Sequence, residues 1–168
     1  MGVLEESVLT WRVLPNDIDI TKVTNDRFIA LMDLGRMDIA FRVGLIKTML
    51  RRKWVPLATF DTIRFRYPLK LFQKFQLHIR IIYWDDHTFY FHQQFKRKGR
   101  IVATGYVCAT LLGPKGYVRP KDVLAEIGQS VTKPEKPGIV SKLQAMDVLI
   151  HKDQTKRQSE KGTQSSKN

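Results

Sequence analysis

Two hydrophobic rhythms run along the chain, and the change from one to the other separates a helical first third from a stranded middle. Val8 to Leu14 is apolar with β-branched positions and stops at Pro15-Asn16, which predicts a short strand and a turn. From Asp26 to Val43 the residues Phe28, Leu31, Met32, Gly35 and Ile39 recur at helical spacing and share one face. Thr24 or Asn25 is the expected N-cap, and Asp38 and Arg42 are placed to pair on the exposed side. Gly35 costs this helix about 1 kcal/mol against alanine, a cost that is tolerable where the backbone presses closely on a sheet. Gly44 ends the helix, and Leu45 to Lys53 predicts one or two further turns with a basic end.

Beyond that point apolar positions alternate. Thr59 to Tyr67 puts Ile63, Phe65 and Tyr67 on one face, and Pro68 closes it. Phe75, Leu77, Ile79, Ile81 and Tyr83 form the next run, ended by Trp84-Asp85-Asp86, with the two aspartates as turn formers. Phe89, Phe91, Gln93 and Phe95 follow, then a hairpin turn at Lys98-Gly99. Ile101 to Leu112 is apolar on both faces and reads as a covered, central strand. Gly113 to Gly116 reads as a loop and Pro120 to Ile127 as a short helix.

The order β-α-β-β-β-β predicts an α+β domain in which a curved antiparallel sheet wraps around one long central helix. That domain is expected over residues 1–129. A linker and a short amphipathic helix follow over 130–151, and a disordered basic and polar tail over 152–168. An open sheet of this kind leaves an edge strand that a second copy can pair, so a homodimer or a dimer of dimers is expected.

Charge changes the picture in one respect. The net charge of +13 is concentrated in the body: residues 1–129 carry 21 Lys+Arg against 12 Asp+Glu, and residues 130–168 carry 8 against 4. Such a field favours polyanions, whether nucleic acid, an acidic lipid surface or a phosphorylated small molecule. The basic-aromatic signature of common RNA-binding modules is missing, so nucleic acid is not the expected partner. The single cysteine, Cys108, excludes an intramolecular disulfide. No basic region followed by an apolar stretch opens the chain, and the longest uncharged apolar run, Ile101 to Leu112, is too short to span a bilayer. A cytoplasmic location is expected.

Several chemistries lack their residues. No serine lies in a Gly-x-Ser-x-Gly turn. Cys108 falls mid-strand and reads as a core thiol. His78, His87, His92 and His151 lack metal-ligand spacing, and neither common nucleotide-loop motif occurs. Carboxylates remain. Asp17-Ile18-Asp19 lies between the first strand and the long helix, with Asn25-Asp26 at the helix start. Read plainly, Asp17 makes an Asx turn and Asp19 is solvated loop. Read chemically, a carboxylate beside a helix N-terminus can attack an activated acyl carbon or deprotonate water while free amides hold the oxyanion.

The run Trp11-Arg12-Val13-Leu14-Pro15-Asn16-Asp17-Ile18-Asp19, followed by Asn25-Asp26-Arg27-Phe28 opening a helix, resembles the start of the hotdog-fold acyl-CoA thioesterases of the 4-hydroxybenzoyl-CoA thioesterase type. Tyr83-Trp84-Asp85-Asp86-His87-Thr88-Phe89-Tyr90 resembles the eukaryotic thioesterase-superfamily member 6 branch. With the strand order, the resemblance covers residues 8 to 115. It implies hydrolysis of an acyl-CoA to free acid and coenzyme A, with coenzyme A as part of the substrate and no separate cofactor or metal. It implies Asp19 as the catalytic carboxylate, base or nucleophile, with Asn25 and Asp26 at the carbonyl-polarising position, and an acyl site at a dimer interface. Val23 stands where many members have His, and Asp26 replaces a second Asn. A non-catalytic acyl-thioester binding or scaffold protein is the alternative on the same fold. Arg64, Arg66, Lys96, Arg97, Lys98 and Arg100 are candidate contacts to the coenzyme A phosphates, each with a solvated strand or turn position as its plainer reading.

Overall fold

The apolar stripe read from the sequence forms one helix, Asn25–Arg42 (α1), with Phe28, Leu31, Met32, Gly35 and Ile39 all buried. The computed structural model of the chain describes residues 1–165, with side chains described from 1 to 155. Its contacts divide it into two units, Met1–Pro134 and Glu135–Asn168. In the first, β1 (Ser7–Arg12) leads through a 3-10 turn (Pro15–Asp17) to α1 and then α2 (Leu45–Arg52). Strands β2 (Val55–Phe65), β3 (Lys74–Trp84), β4 (Phe89–Arg97), β5 (Arg100–Gly113) and β6 (Gly116–Val118) follow, and α3 (Pro120–Glu126) closes the unit.

All the strands join one six-stranded antiparallel sheet in the order β1-β3-β4-β5-β2, with β6 on β5. The curved sheet with one long helix against it is the α+β architecture the residue pattern predicts. Three boundaries differ from expectation. The first strand runs Ser7–Arg12 rather than Val8 to Leu14, and it pairs β3, Ser7 opposite Ile79. The stretch Gly113–Gly116 is a hairpin turn feeding β6 rather than a plain loop. β2 begins at Val55, four residues before the alternation becomes visible, because an edge strand tolerates Pro56 and a bulge between Ala58 and Phe60 interrupts its period.

Close packing sets the helix on the sheet. A Cβ added to Gly35 would fall on Ile79 Cδ1 and lie 3.0 Å from Leu77 Cδ2, so glycine is what lets the backbone approach there. Phe28 packs edge-on against Phe65 and Phe95, with ring centroids 5.1 and 4.8 Å away, a geometry worth about 1 kcal/mol per pair. The N-terminus of α1 therefore lies over the end of the sheet formed by the tip of β2 and the β4–β5 hairpin. β5, flanked by β4 and β2, is mostly buried, as its double apolar face predicts.

The second unit holds α4, Gly138–Ser165. This helix continues well past the expected end at Ile150 and through most of the segment expected to be disordered. Its sequence between Gly138 and Gly162 has no proline or glycine and is rich in Lys and Gln, which favour the helix intrinsically. The remainder of the expected tail, 166–168, lies outside the described residues.

Candidate active site at the start of the long helix

The segment between β1 and α1 is folded around Asp17. Its Oδ2 accepts the Leu14 amide at 2.8 Å, its Oδ1 lies 2.5 Å from Arg27 Nε, and its carbonyl accepts the Thr24 amide at 3.2 Å. Asp17 is 7% exposed. More than a turn former, it clamps the loop onto the first turn of α1, which the plain Asx reading missed because Arg27 is ten residues away.

The clamp leaves a small hairpin standing out. Ile18 bridges Val23, and the Asp19 amide donates to the Lys22 carbonyl at 3.2 Å. Ile20, at its tip, is 92% exposed. Asp19 Oδ1 accepts the Thr21 amide at 3.2 Å. That bond, with further help from the Ile20 and Lys22 amides, holds the Asp19 carboxyl below the ordinary carboxylate range, so it is ionised at neutral pH. Thr24 takes the N-cap position of α1 but makes no side-chain capping bond. The first-turn amides, including those of Asn25 and Asp26, are therefore not filled by a cap, and the helix presents them with its positive end. Asp19, Asn25 and Asp26 are all exposed, Asp19 on the hairpin and the other two in the first turn of α1. Val23 is buried, its amide held by the Leu69 carbonyl at 2.9 Å.

The six candidate phosphate contacts all fall at the sheet end beneath the start of α1, but they divide between its faces. Phe65 and Phe95 face α1, so alternation turns Arg64, Arg66 and Lys96 to the opposite face and Arg97 to the helix side. Lys98 and Gly99 form a two-residue hairpin loop with φ of 49° and 75°. Arg100 stacks 4.8 Å over the Tyr67 ring. One phosphate chain can reach some of these cations, not all.

A second polar cluster went unnoticed in the sequence. Gln93, fully buried, donates to the Met32 carbonyl at 3.0 Å and accepts Arg36 Nη1 at 2.9 Å, while Arg36 also pairs with Asp33. Asp61 on β2 lies within the field of Arg36, yet surrounding protein pushes its carboxyl up, although the side chain keeps access to solvent. The available signal was Gln93 itself, a polar residue in phase with Phe89, Phe91 and Phe95. Beside this cluster lies a cavity of about 380 Å³ between the C-terminal half of α1 and the sheet.

Comparison with known proteins bears on the family and the fold. Residues 13–126 match the model of the family described as "Thioesterase-like superfamily". The chain is 32% identical over 125 residues to Protein THEM6 of Danio rerio, covering 73% of this chain and 60% of that protein. This chain thus spans less than two thirds of that relative. In solved structures it is similar to the BH1999 gentisyl-coenzyme A thioesterase, with a TM-score of 0.65 at 18% identity over 72% of this chain and 98% of the other. It is also similar to SAV2348 from Staphylococcus aureus in complex with CoA, with a TM-score of 0.67 at 11% identity over 82% and 93%. No helix among the described residues is long and apolar enough to cross a membrane. The fold is that of the hotdog thioesterases, and the chain belongs to the thioesterase-like superfamily.

Proposed function

We propose that this protein hydrolyses acyl-CoA thioesters, with Asp19 as the carboxylate that does the chemistry. The observation that carries the reading is an ionised Asp19 on the hairpin beside an uncapped α1 N-terminus. Asp19 takes a proton from water as the water oxygen bonds to the acyl carbon. The oxyanion that forms is held by first-turn amides at Asn25 and Asp26. The carbon–sulfur bond then breaks, coenzyme A leaves as the thiolate, and Asp19 returns the proton to sulfur. Direct attack by Asp19 on the acyl carbon, with water releasing the acid afterwards, uses the same groups. No cofactor enters beyond coenzyme A itself, whose phosphates draw on the cations near the β4–β5 hairpin.

The exposed edge of β2, with Val55 60% and Phe65 42% exposed, supports a homodimer built on that strand. The lone cysteine fits a reducing compartment, and the cytoplasm is the proposed location. Val23, buried where many relatives of the 4-hydroxybenzoyl type carry His, favours a second reading: a binding or scaffold protein that holds an acyl thioester without cleaving it.

Thiol release from a panel of acyl-CoAs separates the two. Turnover of any member supports the hydrolase. Inactivity on all, with binding seen by calorimetry, selects the scaffold.

A further inference from the structure

A row of exposed apolar side chains lies at the end of the sheet away from the β4–β5 hairpin. Val55 of β2, Leu112 of β5 and Tyr117 of β6 stand directly opposite one another in the two strand pairings, and such partners share a face of the sheet. Leu111 is buried and lines the cavity between α1 and the sheet, so alternation turns Leu112 and its two partners to the other face. Val55 is 60% exposed, Leu112 42% and Tyr117 62%. The solvated face of an antiparallel sheet is ordinarily polar, so an apolar row across three adjacent strands has a use to explain.

Cations frame the row. Lys53 comes two residues before Val55, and Lys115 sits in the turn between β5 and β6. The stretch 45–53 carries Lys47, Arg51, Arg52 and Lys53 and no acid, while 112–126 carries Lys115, Arg119 and Lys121 against Asp122 and Glu126. The β3–β4 turn, whose His87 ring lies 6.5 Å from that of Tyr117, adds Asp85 and Asp86. The balance stays positive. Arg51 and Arg52 share Glu126, and Arg119 takes Asp122. Lys47, Lys53 and Lys115 form no ion pair among the described residues.

We propose that this end of the sheet docks on an acidic lipid bilayer, with Leu112 and Tyr117 entering the interface and Lys53 and Lys115 meeting the head groups. Tyrosine suits that depth, because its ring is apolar and its hydroxyl stays wet. Lysine lays its stem along apolar surface and keeps its charge in the head-group layer. Acidic lipids line the cytoplasmic faces of membranes, and each cation brought near them tightens binding about fivefold. A second copy of the chain fits the row less well. Three half-exposed side chains offer on the order of 300 Å², well short of the roughly 800 Å² per partner of a stable interface. Two copies would also set Lys53 and Lys115 against like charge, in a chain of net charge +13. Single-stranded RNA is held by bases stacked on successive aromatic rings, and this row offers one ring beside two aliphatic side chains.

The test is co-sedimentation of the full chain with vesicles of phosphatidylcholine alone and of phosphatidylcholine with about one third phosphatidylserine. Thiol release plays no part in the readout, so the result is independent of the thioesterase reading. Binding to the acidic vesicles is expected to exceed that to the neutral ones by about tenfold or more, and to fall as salt is raised. Leu112→Ser with Tyr117→Ser is expected to weaken it about tenfold or more, and Lys53→Gln with Lys115→Gln about 25-fold, each with the far-UV spectrum unchanged. Arg97→Gln with Lys98→Gln is the control. β5 spans 14 residues, which places the β4–β5 hairpin roughly 40 Å away, beyond the reach of the surface potential, and this pair is expected to bind as the unaltered chain does. Equal losses from the two cation pairs would mean diffuse adsorption of a basic protein and would overturn the proposal. So would binding independent of phosphatidylserine, or full binding by the Leu112 and Tyr117 variant. Failure to bind vesicles would overturn it too, assigning the row to a second copy if replacing Leu112 and Tyr117 lowers the mass in light scattering, and to RNA if polyuridylate is bound instead.

Discussion

Arg27 Nε lies 2.5 Å from Asp17 Oδ1, a pair that ties the first turn of α1 to the loop carrying Asp19. Asp17 is nearly enclosed while Arg27 keeps about a third of its surface in water, so the pair is worth less than a fully buried one. Asp17→Ala removes this contact and the bond to the Leu14 amide together, and is expected to cost about 2 kcal/mol. A fall in Tm of several degrees in a thermal melt checks it; an unchanged Tm would mean the loop is held by something else. Asp17→Asn keeps one acceptor and is expected to lose about half as much.

Gly35→Ala separates helix propensity from packing. In an exposed helix the change stabilises by about 1 kcal/mol. Here the new methyl meets Ile79 and Leu77, and overpacking of this kind costs about 1–3 kcal/mol. Denaturant unfolding is expected to show a net loss of stability. A gain would show that α1 can lift from the sheet without penalty.

These two residues also mark what the sequence could and could not disclose. Gly35 was legible because it interrupts an apolar helical stripe, and the stripe implies a facing sheet. The Asp-x-Asp run was legible as a pattern, and its place before a helix suggested the chemistry. The division of labour inside it was not: Asp17 acquires its role from Arg27, a contact that exists only once the loop turns back on the helix. Pairing of β1 with β3 was hidden for the same reason, since strand partners far apart in sequence leave no periodicity, and β6, three residues long, is too short to show one. Gln93 was visible as an exception to alternation, but its bonds to Met32 and Arg36 needed the third dimension. The cavity was invisible, because its walls come from elements each of which reads as ordinary core.

Asp19 and Asp61 are perturbed in opposite directions, which makes pH informative. Asp19 is lowered by backbone amides, so it stays ionised as pH falls, and the acid limb of kcat is expected below the ordinary carboxylate range, about 4. An acid limb well above that range would point to Asp61, which is raised by burial.

Asp61 also predicts a stability effect with a definite sign. Its folded-state pKa is raised, so the folded chain holds this proton more tightly than the unfolded chain. The resulting destabilisation is absent below the unfolded value of about 3.9 and grows as pH rises through the raised value. Asp61→Asn is expected to raise Tm at pH 7 and to leave it unchanged near pH 3. An equal shift at both pH values would rule out a titration effect.

Assembly through β2 predicts a dimer mass in light scattering at micromolar concentration. Val55→Lys with Leu57→Lys places charge along the exposed edge, and is expected to give the monomer with its far-UV spectrum intact. A dimer that survives both substitutions would place the contact on another surface.

The most direct test of the account is the rate of thiol release by Asp19→Asn on whichever acyl-CoA the unaltered protein turns over fastest. Asparagine nearly preserves shape but serves as neither base nor nucleophile at neutral pH. The expected result is a loss of roughly 100-fold or more in kcat, with acyl-CoA affinity and Tm unchanged. Full turnover by Asp19→Asn would contradict the assignment of the chemistry to that carboxylate.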